Sequence, residues 1–247
     1  MKLVPSNSDP RQELLESLVR LRESPGQALE DKRTRELMSR ASEAAMSMPD
    51  DAFLARLLET EYAALGRSGD ILVCSVLSNV AEERQLQGAV PTLNRMLADP
   101  RTHALHEDLA ETLGEIGDES SVPFLIGALS SKENWVRAKS AESLGKLSDT
   151  RAIAPLILLL KDDSESVIEN AIDALADMRA IEGSGALTQV AASPEESTFL
   201  RSKAIQALAQ MRSKEALPFL QRLVDSQENN EVVTAARQAI AALDSSA

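Results

Sequence analysis

The sequence predicts an all-α protein, a right-handed α-solenoid of stacked helical hairpins, and three observations carry that reading. Aromatic residues make up only 2% of the chain, so the 43% hydrophobic content is mostly Ala, Leu, Ile and Val; Ala and Leu favour helix, and small Ala side chains let helices pack closely. Prolines near the start of helical patterns fall at Pro91, Pro123, Pro155 and Pro218, with gaps of 32, 32 and 63 residues. An independent series, Leu113, Leu144, Leu175, Leu208 and Ile240, has gaps of 31, 31, 33 and 32. Two markers sharing one period are the mark of a repeat array.

The elements follow in order. Residues 10–22 carry Leu14, Leu15, Leu18, Val19 and Leu21 and read as an amphipathic helix broken at Ser24-Pro25-Gly26. Gln27–Met46 reads as a charged helix, and Pro49-Asp50-Asp51 as a break followed by an N-cap. Residues 1–50 are therefore expected to form an N-terminal helical cap, with a separate partner-binding arm as the alternative. Asp51–Gly66 and Asp70–Gln85 read as two helices, a degenerate first repeat over residues 51–88. From residue 89 to 247 five repeats form one continuous solenoid, with units beginning near Ala89, Ser121, Ala152, Gly183 and Glu215. Each opens on a first helix, usually at proline, whose missing N–H is harmless in a first turn. A short polar break such as Lys161-Asp162-Asp163 follows, then a second helix with apolar residues on one face, as at Val136, Ala141, Leu144 and Leu147. A tight polar turn such as Ser148-Asp149 ends the unit. One hairpin alone cannot bury its apolar face, whereas stacked neighbours build a continuous core.

Val136-Arg-Ala-Lys-Ser-Ala-Glu-Ser-Leu-Gly-Lys-Leu147, followed by Ala152-Ile-Ala-Pro-Leu156, resembles the HEAT repeat in its short bacterial form, the phycobilisome-lyase HEAT-like repeat. The resemblance covers residues 89–247. The Val-Arg pair recurs as Leu105-His106, Val167-Ile168, Leu200-Arg201 and Val232-Val233, so the arginine is kept in two units. The resemblance implies that second helices line a concave groove. Carried over position by position, it places Glu107, Asp108, Glu111, Asn134, Trp135, Lys139, Glu142, Glu165, Glu169, Asn170, Asp173, Phe199, Lys203 and Gln206 on that groove as a protein-binding surface. With Glu115 and Asp177, eight carboxylates of the first and third units fall there, and Trp135 and Phe199 occupy equivalent positions. Exposed aromatics ringed by carboxylates would anchor a basic partner.

The net charge of −13 repels phosphate backbones, which argues against nucleic acid and anionic membrane as partners. No apolar run nears the length needed to span a bilayer and no secretory signal is visible, so a cytoplasmic location is the expectation. The single cysteine, Cys74, lies in an apolar run and reads as a buried small hydrophobe. His103 and His106 lie three apart but have no third metal ligand at a defined spacing. Ser143-Leu-Gly-Lys146 matches an acyl-serine motif only in letters, because its frame belongs to the repeat. Gly183-Ser-Gly185 lacks the glycines of a nucleotide loop, and Asp162-Asp163-Ser-Glu165 lacks those of a calcium loop.

No cofactor, metal or catalytic residue is expected. The sequence therefore favours a non-catalytic scaffold or adaptor that binds a protein, not an enzyme. Two other readings stand beside it: a subunit of a phycobilin-lyase-like or other bilin-handling assembly, which the resemblance implies, and an immunity or inhibitor protein for a toxin. A DNA-repair glycosylase built on similar repeats would need a basic, aromatic-rich groove and fits poorly.

Overall fold

In the computed structural model, residues 9–23, 32–65, 68–226 and 230–244 are described. They contain fourteen α-helices and no strand. The architecture is an all-α solenoid of helical hairpins. It divides into two compact units, Met1–Asp118 and Glu119–Ala247.

The first unit begins with α1 (Pro10–Arg22) and α2 (Lys32–Met46), which pack on each other and on α4. Asp9 caps α1 by accepting from the Arg11 amide at 3.1 Å, and Asp50 caps α3 by accepting from the Phe53 amide at 2.9 Å. Such caps satisfy amides that a helix start leaves orphaned, each worth about 1 kcal/mol. Of the apolar set expected on α1, Leu14, Leu18 and Leu21 are buried while Leu15 and Val19 face solvent. The expected start of α2 at Gln27 lies outside the described residues. The pair α3 (Asp51–Ala63) and α4 (Ser68–Glu83) follows, then α5 (Val90–Leu97) and α6 (His106–Ile116). Arg84, just past α4, ties back to the end of α2 by donating to the carbonyl of Ala45 at 3.0 Å.

The second unit holds four hairpins: α7 (Val122–Ala128) with α8 (Asn134–Leu147), α9 (Ile153–Leu159) with α10 (Glu165–Asp177), α11 (Ser184–Ala192) with α12 (Thr198–Gln210), and α13 (Leu217–Asp225) with α14 (Asn230–Asp244). The second helices pack in sequence, α8 on α10, α10 on α12 and α12 on α14. Leu144, Leu175 and Leu208 of the period marker are fully buried in this layer. The approach of α8 to α10 is closest at Gly145, where an added Cβ would lie 2.9 Å from the Cα of Ala174.

First helices start at Val90, Val122, Ile153, Ser184 and Leu217. Pro91, Pro123 and Pro218 are second in their helices, but Pro155 is third in α9, because the helix starts on either side of α9 are 31 residues apart while Pro123 and Pro155 are 32 apart. The backbone repeats more strictly than the side chains. A left-handed residue follows α4, α6, α8, α10 and α12, at Gln85, Gly117, Ser148, Arg179 and Arg212. Only one of the five is glycine, although a side chain there costs about 1 kcal/mol or more.

Candidate functional site

The second-helix face of the second unit gathers most of the residues expected to bind. Trp135 and Phe199 are the second residues of α8 and α12, one place before the buried Val136 and Leu200. That position turns them outward, and each is 51% exposed. Asn134 holds the start of α8: its Oδ1 accepts from the Trp135 amide at 2.9 Å, and its Nδ2 donates to Ser164 Oγ of the next hairpin at 3.3 Å.

The charged residues of this face pair with one another. Lys203 on α12 reaches Glu169 at 2.9 Å and Asp173 at 2.8 Å on α10, with its ammonium 5.5 Å from the centre of the Phe199 ring. Partial burial pushes the Lys203 ammonium down, but hydrogen bonds to the two carboxylates outweigh it and raise the group above its ordinary value. Glu142 takes Lys139 and Lys146, both at 2.8 Å. Burial pushes its carboxyl up, and the two ammonium groups more than reverse that, holding it below its ordinary value. Glu165 accepts from the Ser197 hydroxyl, and Asp177 accepts from Gln210 at 3.0 Å. Asn170 turns back to the carbonyl of Ser166 at 2.8 Å, while Gln206 stays exposed. Three ammonium groups thus stand among five carboxylates, and the face is a lattice of paired charges where the sequence suggested a run of free ones. Lys146, Ser197 and Gln210 were missing from the expected set. The i,i+4 spacing of Glu142 and Lys146 is the one local signal among them.

Glu107, Asp108 and Glu111 lie on α6 in the first unit. Partial burial and the neighbouring Glu111 push the Asp108 carboxyl above its ordinary value. Glu107 and Asp108 sit in the first turn, where carboxylates stabilise the positive end of a helix.

The other motifs have structural partners. His103 Nδ1 lies 3.1 Å from the Pro100 carbonyl and His106 Nε2 lies 3.0 Å from the Asp99 carbonyl, so both rings brace the 3-10 turn Pro100–Leu105. Among the described residues no three His, Cys, Asp or Glu side chains converge in a way that would hold a metal ion. Ser143 and Cys74 are fully buried. Among the described residues no helix is long and apolar enough to cross a membrane.

Comparison with known proteins adds the following. A family profile of HEAT repeats matches residues 92–176 and 153–241. A deoxyhypusine hydroxylase of Neurospora crassa is 32% identical over 114 residues, covering 44% of this chain and 35% of that protein. The bilin biosynthesis protein PecE of Mastigocladus laminosus is 30% identical over 104 residues, covering 39% of each. The match thus spans 35% and 39% of the length of these two relatives. The structure of the complex of CpcE and CpcF of phycocyanin lyase from Nostoc sp. is similar over 72% of this chain and 74% of that one, with a TM-score of 0.53 and 22% identity, a likeness of fold.

These relatives correct one expectation. The sequence reading excluded an enzyme, yet a relative at 32% identity carries an enzyme's name. The reasoning failed for a physical cause: an active site assembled from side chains on successive repeats leaves no local motif to find.

Proposed function

The chain belongs to the HEAT-repeat family, and from that premise we propose that it is a subunit of a bilin-handling, lyase-type assembly, docking its partner through the second-helix face of the second unit. One observation carries the reading. Both half-exposed aromatics of that face are followed one helical turn later by a lysine, Trp135 by Lys139 and Phe199 by Lys203. A flat ring beside an ammonium group suits a conjugated tetrapyrrole with carboxylate side chains, or the protein segment that carries one. The paired charges beneath hold these side chains in place, so little ordering is lost on binding. The similarity to PecE and the fold shared with a two-chain lyase point the same way.

The test mixes the chain, alone and with lyase-type second subunits, with free bilin and a bilin-accepting apoprotein. Expected is a red-shifted, fluorescent adduct, or at least a bilin absorbance change, that Trp135→Ala with Phe199→Ala abolishes. If the spectrum of the bilin never responds to the chain in any combination, the bilin reading is wrong.

A further inference from the structure

The opposite side of the second unit has a surface of a different kind. The first helices α7, α9 and α11 read Val-Pro-Phe-Leu-Ile-Gly-Ala, Ile-Ala-Pro-Leu-Ile-Leu-Leu and Ser-Gly-Ala-Leu-Thr-Gln-Val-Ala-Ala, with no ionisable side chain in any of the three. Their flanking counterparts α5 and α13 carry Arg95 and Arg222 at the outermost position, the sixth of the helix. In α7, α9 and α11 that position is Gly127, Leu158 and Gln189. Leu158 is 75% exposed, the most exposed of the large hydrophobic side chains. Around it the outward residues are small: Ala154 is exposed one turn earlier on the same helix, and a Cβ built on Gly127 or Gly185 would meet nothing within 4 Å. A projecting apolar side chain among hollows, on a face without charge, is poorly suited to solvent.

We infer that this first-helix face is the contact between two copies of the chain, paired about a two-fold axis with α9 antiparallel to α9. The shape is self-complementary in that arrangement alone. Leu158 of one copy rests on Ala154 of the other, and the reverse contact follows by symmetry. Charge selects the same orientation. Antiparallel pairing brings Glu119, exposed just before α7, toward Lys132, exposed just after α7 of the other copy. Parallel pairing would lay α7 over α11 and set Glu119 against the exposed Glu182. Asp162 and Asp163 near the far rim are held by Arg137. Three helices of this length present a face roughly 10 Å by 30 Å, so the pair belongs to the weak, concentration-dependent class of dimers.

Sedimentation velocity across the micromolar to millimolar range tests the inference. Expected are a monomer–dimer equilibrium for the native chain and a dimer Kd raised about tenfold or more by Leu158→Glu, with helical content unchanged. Glu119→Lys should weaken the dimer, and adding Lys132→Glu should restore it. Trp135→Ala should leave it intact. A native chain that stays monomeric throughout, a Leu158→Glu variant that dimerises like the native chain, a charge exchange that fails to restore pairing, or a dimer lost in Trp135→Ala would each overturn it. Because the two faces are probed by different variants, failure here is separable from failure of the bilin reading.

Discussion

Arg137 on α8 grips Asp162 in the loop of the next hairpin, Nε to Oδ2 at 2.8 Å and Nη2 to Oδ1 at 2.7 Å. A third bond, from Nη1 to the carbonyl of Ser131 at 2.9 Å, holds the loop of its own hairpin. One side chain therefore ties two loops of successive repeats together. Arg201, its equivalent in α12, donates to the Ala191 carbonyl at 3.0 Å, so the hold on its own hairpin recurs.

Both partners of the ion pair are largely covered, at 12% and 10% exposure. Removing one leaves the other buried without its counter-charge, so Asp162→Asn should lower stability by about 3 kcal/mol. Burial pushes the Asp162 carboxyl up, but Arg137 and the Ser164 amide outweigh it and hold the group below the ordinary 3.8. A depressed folded pKa means that the unfolded chain binds the proton more readily, so the stabilisation is present above the ordinary value and lost as pH falls through the folded one. Urea denaturation from neutral to strongly acidic pH should find the native chain and Asp162→Asn converging at the acid end.

Two glycines should respond oppositely to alanine. At Gly145 a Cβ would press on the backbone of Ala174, and the overpacking cost of about 1–3 kcal/mol exceeds the ~1 kcal/mol gained in helix propensity. At Gly127 a Cβ meets open space, so the propensity gain of ~0.5–1 kcal/mol stands alone. Thermal unfolding at low protein concentration should place Gly145→Ala below the native chain and Gly127→Ala above it.

Lys203 bridges to two carboxylates of the neighbouring helix, and Lys203→Met should cost about 1 kcal/mol at neutral pH, discounted for its partial exposure. Its folded pKa is raised above 10.5, because the bonds to Asp173 and Glu169 exceed the opposing effect of burial. The contribution is thus complete below the ordinary lysine value and disappears as pH rises through the folded one. The native and Lys203→Met melting temperatures should therefore converge in strong alkali.

Trp135→Ala and Phe199→Ala should leave stability within about 0.5 kcal/mol, since both side chains lie half in solvent. If they anchor a partner, each should weaken its binding by about tenfold or more, measured by titration calorimetry against the bound protein or bilin.

Much of the fold was written in the sequence because its repeat leaves a mark at every turn of the chain. The buried leucines of the second helices and the prolines of the first give the hairpin boundaries to within a residue or two. The exposure of Trp135 and Phe199 was legible too, since each stands one place before a residue that must be buried. The pairing of Lys203 with Glu169 and Asp173 was not. It depends on how far one helix slides along its neighbour, and a sliding register leaves no pattern in a single chain. The left-handed residues at Ser148, Arg179 and Arg212 were equally invisible, because a sequence announces that conformation chiefly through glycine.

Those left-handed joints have a consequence for how such a chain changes over time. Each closes a hairpin by backbone conformation, at intervals of 31 to 33 residues, with Gln, Gly, Ser or Arg serving equally. Because no particular side chain is needed to end one hairpin and begin the next, a whole unit can be copied or deleted with both junctions intact. Gene duplication can therefore lengthen the array while the faces on either side diversify one hairpin at a time.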